Sequence, residues 1–124
     1  MDKKRFRELE RLCKRGWMEM AETGCDKPDY LEGFRHRCPA CEISMRVSGG
    51  SAQDCRYCPI IVWRGENLST EHMIPANCQY PGNAYRDWYV AHDYVEDTVA
   101  AKRAALKIAK YSWMWMPEYA DVYI

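Results

Sequence analysis

The chain is short of aliphatic side chains: Leu, Ile, Val and Phe together supply only 19 of its 124 residues. It has no net charge either, with 18 Lys plus Arg against 18 Asp plus Glu. No apolar run approaches the ~20 residues that span a bilayer, and the first residues, MDKKRFRELER, lack an apolar signal segment. Each shortage excludes something. Aliphatic poverty combined with high net charge would mean disorder, but here the charge is zero. Without a basic excess, nucleic-acid binding through bulk charge is not indicated. Without a span or a signal segment, the expected setting is a reducing cytoplasm with no membrane partner.

What the chain does have is aromatic and sulfur-rich. Five Trp, nine Tyr and two Phe supply the bulk the aliphatics do not, and there are seven Cys. Two cysteine pairs, Cys38-Pro39-Ala40-Cys41 and Cys55-Arg56-Tyr57-Cys58, are separated by thirteen residues. Two residues between cysteines let the backbone curl so that both sulfurs face one centre. The C-x2-C, thirteen, C-x2-C spacing is that of a four-thiolate zinc site. Cys38, Cys41, Cys55 and Cys58 are therefore the expected ligands of one structural zinc, with no open position for a reactant. Cys78 or His72 can replace one member of the set. Four thiolates around one zinc add about −2 to the charge, which Arg37, Arg46 and Arg56 can offset. Disulfides fit a chain without an export signal less well. A thiol redox pair needs a single C-x2-C at a helix start beside a βαβ unit.

Periodicity predicts an N-terminal helix over residues 3–22 with Asp2 as N-cap and Gly24 closing it. Phe6, Leu9, Cys13, Trp17 and Met20 form one apolar stripe, which makes Cys13 a core thiol. Lys3, Lys4, Arg5, Arg7, Arg11, Lys14 and Arg15 crowd the first half, where the helix dipole disfavours cations. Arg7, Arg11 and Lys14 are the candidate partner-binding residues, against the plainer reading of a solvated face. Residues 25–37 form a connector broken by Pro28 and Gly33, with Tyr30, Leu31 and Phe34 against the first helix. In 38–63, the alternation of Ile43, Met45 and Val47 and the apolar run 60–63 predict two short strands around a turn at 48–51. Residues 64–82 form a loop. Asn83 caps a helix over 84–94, and a second runs from Glu96 to Met116 with Val99, Leu106, Ala109 and Trp113 on one face. Pro117 ends it, and 119–124 alternates like an edge strand. The expected architecture is α+β in one domain. A zinc ribbon, two C-x2-C knuckles on a short β-hairpin, packs between the N-terminal helix (1–24) and a C-terminal helical pair (83–116), with a tail at 117–124.

Two other functions have sequence support. Glu71-His72-Met73-Ile74-Pro75 is similar to the entry of HNH nucleases. In that reading His72 is the base that activates water, Asn83 orients that base, and His92 helps hold a divalent metal. Both cysteine pairs precede His72, however, and the stretch to Asn83 is short and proline-rich for that family's second strand. The basic first helix, with Tyr57 and Trp63 as stacking platforms, suits a nucleic-acid-binding zinc ribbon.

The layout resembles small cysteine-rich proteins encoded by bacteriophages and prophages. The shared features are a helix with a Trp near its end (GWMEMAETG, 16–24), then Lys27, CPAC, CRYCP, Trp63, Cys78, Tyr85 with Trp88, and an alanine-rich closing helix (100–110). The long 64–77 segment and the tail after Pro117 depart from that pattern. The resemblance implies zinc binding and phage origin. By analogy with small phage accessory proteins, it implies a non-enzymatic protein that engages a host protein, for instance in transcription or defence.

Overall fold

The computed structural model describes residues 1–49, 55–63 and 83–124. Among these the architecture is helical, and the α+β expectation is corrected: the only β feature is one antiparallel bridge, Ile60 with Trp113.

Helix α1 spans Lys3–Thr23. Asp2 caps it, accepting from the Arg5 N–H at 2.8 Å, and Gly24 closes it with left-handed φ 74°. Phe6, Leu9, Cys13, Trp17 and Met20 are all buried, so the apolar stripe is the core face. Gly24 also marks a close approach: a Cβ there would lie 2.8 Å from Thr98 Cγ2. Gly24→Ala combines a left-handed backbone penalty of ~1–2 kcal/mol with local overpacking. It is expected to lower stability by about 2–3 kcal/mol, measured as a shifted denaturant midpoint with unchanged slope.

The zinc-ribbon hairpin is absent from the described residues. Ile43, Met45 and Val47 lie on helix α2, Pro39–Ser48. The local signals that prevail are Pro39 at the first helical position and Gly49 just past the end, with φ 73°. Ile43 and Val47, four apart, then fall on one helical face rather than on one face of a strand. Residues Ile61–Trp63 form a 3-10 turn instead of a strand. Their pairing with the C-terminal tail lasts one step, Ile61 N–H to Ser112 O at 3.2 Å and Met114 N–H to Pro59 O at 2.9 Å.

Helix α3, Ala84–Tyr89, continues into a π-helical turn, Val90–Val95. Helix α4 is shorter than expected, Thr98–Ala109, capped by the Asp97 carboxylate. It buries Ala101, Ala104, Ala105, Ile108 and Ala109; of the expected face Ala109 and Trp113 are buried, and Val99 and Leu106 are exposed. The alanines let α4 lie close against α1, the most extensive helix contact, with α3 packed on α4. The predicted edge strand at 119–124 is instead a 3-10 turn, Pro117–Asp121, followed by three residues of irregular chain.

The core is aromatic, in two groups along α1. Phe6 meets Trp113, Trp115 and Tyr119 at centroid distances of 5.7, 5.4 and 5.6 Å. Trp17 meets Trp88 edge-on at 5.3 Å and Tyr85 at 5.9 Å. Edge-on and tilted rings match the quadrupole preference of aromatic pairs. Cys13 lies between the two groups, one turn before Trp17. No helix among the described residues is long and apolar enough to cross a membrane.

Candidate metal centre

Cys38 is the N-cap residue of α2, and Cys41 sits in that helix's first turn. The second pair curls as a knuckle: Cys55–Tyr57 is a 3-10 turn closed by Cys58 N–H to Cys55 O at 3.0 Å. Helix α2 packs on this turn, which makes the two pairs neighbours. The second pair is fastened from outside by Tyr119, whose hydroxyl donates to Tyr57 O at 2.8 Å. The six cysteines among the described residues carry no disulfide.

Cys38 is the hub. Its thiol is held well below the ordinary cysteine range by hydrogen bonding from Cys13 and Cys41, with Lys27 adding attraction against the cost of burial. Cys13 shows the converse: its thiol is pushed up by the Cys38 interaction and by complete burial. Of the two thiols, Cys38 therefore gives up its proton more readily and Cys13 holds its own more tightly.

Lys27, which the sequence offered only as a feature of the resemblance and with no role attached, is the buried charge beside the cysteines. It is only 9% exposed. Its ammonium donates to His36 O at 2.7 Å and to the Tyr85 hydroxyl at 3.0 Å. It also lies 4.8 Å from the Tyr85 ring centroid, 5.8 Å from that of Trp88 and 5.9 Å from that of Trp17. Burial works against the charge, yet Cys38, Tyr85 and Cys41 outweigh it and hold the Lys27 pKa above its usual value. His36 and Arg37 both adopt left-handed φ, 55° and 52°. Such strain persists only where surrounding contacts hold it, and here it presents the His36 carbonyl to Lys27 two residues before Cys38.

A buried cation needs a counter-charge. Among the described residues no carboxylate forms an ion pair with Lys27, and the groups that attract it are the Cys38 sulfur, the Tyr85 hydroxyl and the Cys41 sulfur. Trp63 Nε1 is buried without an acceptor among the described residues, and the Trp63 ring packs 6.2 Å from that of Tyr85. A cysteine donor set with a buried cation beside it fits a zinc ion with four sulfurs and excess negative charge. The match is in chemistry and placement. Among the described residues no three His, Cys, Asp or Glu side chains stand ready-made around one point.

The other sequence-predicted residues are scattered. Arg46 pairs with Glu42 at 3.5 Å and Arg37 with Asp26 at 3.9 Å, so Lys27, not these arginines, is the buried compensating charge. Arg7 and Lys14 both pair with Glu10, and Arg11 is exposed. Asn83 is the N-cap residue of α3. His92 stacks on Trp88 at 5.0 Å and contacts Asp93 at 2.6 Å. His72 and Cys78 lie in 64–82, outside the described residues. Trp63 is buried and unable to stack on bases. A shallow cavity of about 480 Å³ between α3 and α4, lined by Asp87, Arg103, Leu106 and Lys107, lies apart from the cysteines.

Comparison of the chain with family models, with curated proteins and with solved structures gives no match.

Proposed function

We propose that this chain is a non-enzymatic binding protein stapled by one structural zinc, of the phage accessory kind, engaging a host protein. The observation that carries the metal reading is Lys27: a cation buried in an aromatic box and drawn toward the Cys38 and Cys41 sulfurs. With the ion bound, the two C-x2-C pairs, Cys38, Cys41, Cys55 and Cys58, supply its thiolates. The ion supplies cross-linking, since a four-sulfur zinc has no vacant position for a reactant. Elemental analysis of protein purified under reducing conditions is expected to give one zinc per chain. A metal-free chain with native helical content removes the proposal.

The binding surface proposed for the host protein is the basic half of α1. Arg7 and Lys14 are tied to Glu10, which leaves Arg11 as the cation whose reversal is least buffered. Arg11→Glu combined with Arg7→Glu and Lys14→Glu is expected to leave metal content unchanged and to reduce partner capture from bacterial lysate by tenfold or more, about 1.4 kcal/mol. Unchanged capture of a saturably bound partner moves the interface elsewhere.

A further inference from the structure

We propose that the cleft between α3 and α4 receives a second copy of this chain, in an antiparallel two-fold arrangement that sets the basic end of each cleft on the acidic end of the other. Neither the metal centre nor the basic half of α1 takes part. The cavity of about 480 Å³ along α4 adjoins a second, of about 450 Å³, that reaches the π-helical turn Val90–Val95. Asp87 and Ala100 line both, so the two form one cleft. Bare apolar side chains lie in and beside it: Tyr94, Val95 and Val99 are 70%, 64% and 67% exposed, and Leu106 is 36% exposed. Val99, Arg103, Leu106 and Lys110 recur at alternating four- and three-residue steps, so they form one outward stripe on α4. A lone exposed apolar residue needs no explanation, but an apolar run rimmed by charge marks an interaction site.

Charge decides the occupant. Arg103, Lys107 and Lys110 line one end of the cleft. Asp97 lines the other, with exposed Glu96 beside it and Asp87 at the junction; Arg86 is a cation at that end. None of these side chains forms an ion pair among the described residues. An occupant that complements the whole cleft therefore carries an apolar face with an anionic end and a cationic end. A uniformly acidic helix would suit Arg103, Lys107 and Lys110 but would meet repulsion at Asp87, Glu96 and Asp97. This chain presents the required face itself. A two-fold rotation makes both end-to-end contacts at once, which is the self-complementarity of an isologous interface.

Sedimentation equilibrium of the full chain tests this under reducing conditions, which keep cysteines from cross-linking the copies. From about 1 to 500 µM, the range suited to an interface of modest size, a monomer–dimer equilibrium is expected that shifts toward monomer as salt rises. A chain that stays monomeric throughout overturns the proposal. Two charge-reversed chains test the pairing itself: Arg103→Glu with Lys107→Glu, and Asp87→Lys with Glu96→Lys. Each alone is expected to self-associate about tenfold more weakly or worse, because both end contacts become repulsive. Their equimolar mixture is expected to dimerise like wild type, since reversed ends then face each other and native ends do the same. Recovery on mixing also shows that both variants fold. Either variant dimerising like wild type, or a mixture of helical variants that fails to pair, overturns the arrangement. Leu106→Gln alters no charge and keeps a good helix former. It is expected to weaken the dimer about fivefold through lost apolar contact, and an unchanged dimer places the interface elsewhere and overturns the proposal.

Discussion

Exhaustive chelation is expected to unfold the protein, with loss of most helical circular dichroism in one transition and recovery on adding back one equivalent of zinc. A structural zinc site contributes an apparent ~10–16 kcal/mol, as large as the whole stability of an ordinary domain, about 5–15 kcal/mol. This chain has little to set against that loss. Its aliphatic residues are few, and the core depends on aromatic contacts between segments far apart in sequence, such as Phe6 with Trp113 and Trp17 with Trp88. The cysteines sit where these segments meet: α1 beside α2, and the second knuckle beside the C-terminal tail. Zinc affinity is also expected to fall as pH falls, because each thiol must lose its proton to bind. A chain that keeps its helical signal and denaturant midpoint with zinc removed would falsify the staple.

Lys27→Met is expected to produce the next largest effect. The substitution keeps an unbranched side chain of similar length and removes only the charge and its donors. Removing one partner of a buried charge pair costs about 3–5 kcal/mol, because the Cys38 and Cys41 sulfurs lose the cation that faces them. His36 O and the Tyr85 hydroxyl also lose their donor. Groups that support metal ligands from outside typically change metal affinity by ~10–100-fold, so zinc affinity, measured by competition with a chromophoric chelator, is expected to weaken within that range. Lys110→Met, at an exposed position on the end of α4, is the control and is expected to stay within about 0.5 kcal/mol of wild type. If the two variants behave alike, Lys27 is not the counter-charge of the centre.

The first helix was legible almost residue by residue, because its signals are local: an Asp cap, a stripe at three- and four-residue steps, and a glycine in the left-handed conformation. The cysteine pairs were legible because C-x2-C is a pattern of four consecutive residues, but that the first pair opens helix α2 was not. The segment between them misled. Ile43, Met45 and Val47 fit a period of two, but ten residues bracketed by Pro39 and Gly49 form a helix, and Ile43 packs inside it. The run 60–63 looked like a strand because it is apolar. It forms a turn, with Ile60 bridged to Trp113 and Val62 exposed. The inner face of α4 was misjudged because residue size was weighed over fit: small alanines face α1, and Val99 and Leu106 point outward.

The amino-acid order by itself determined the cysteine pairs, the extent and buried face of α1, and the helical character of the C-terminal region. Each of these depends on residues within a turn or two of one another. Tertiary structure alone decided that the architecture is helical rather than ribbon-like, that Cys13 meets Cys38, and that Lys27 is the buried cation. Those outcomes depend on partners far along the chain, Tyr85 being 58 residues from Lys27. A lysine in a connector shows no periodicity from which an aromatic box and a thiolate neighbour can be read.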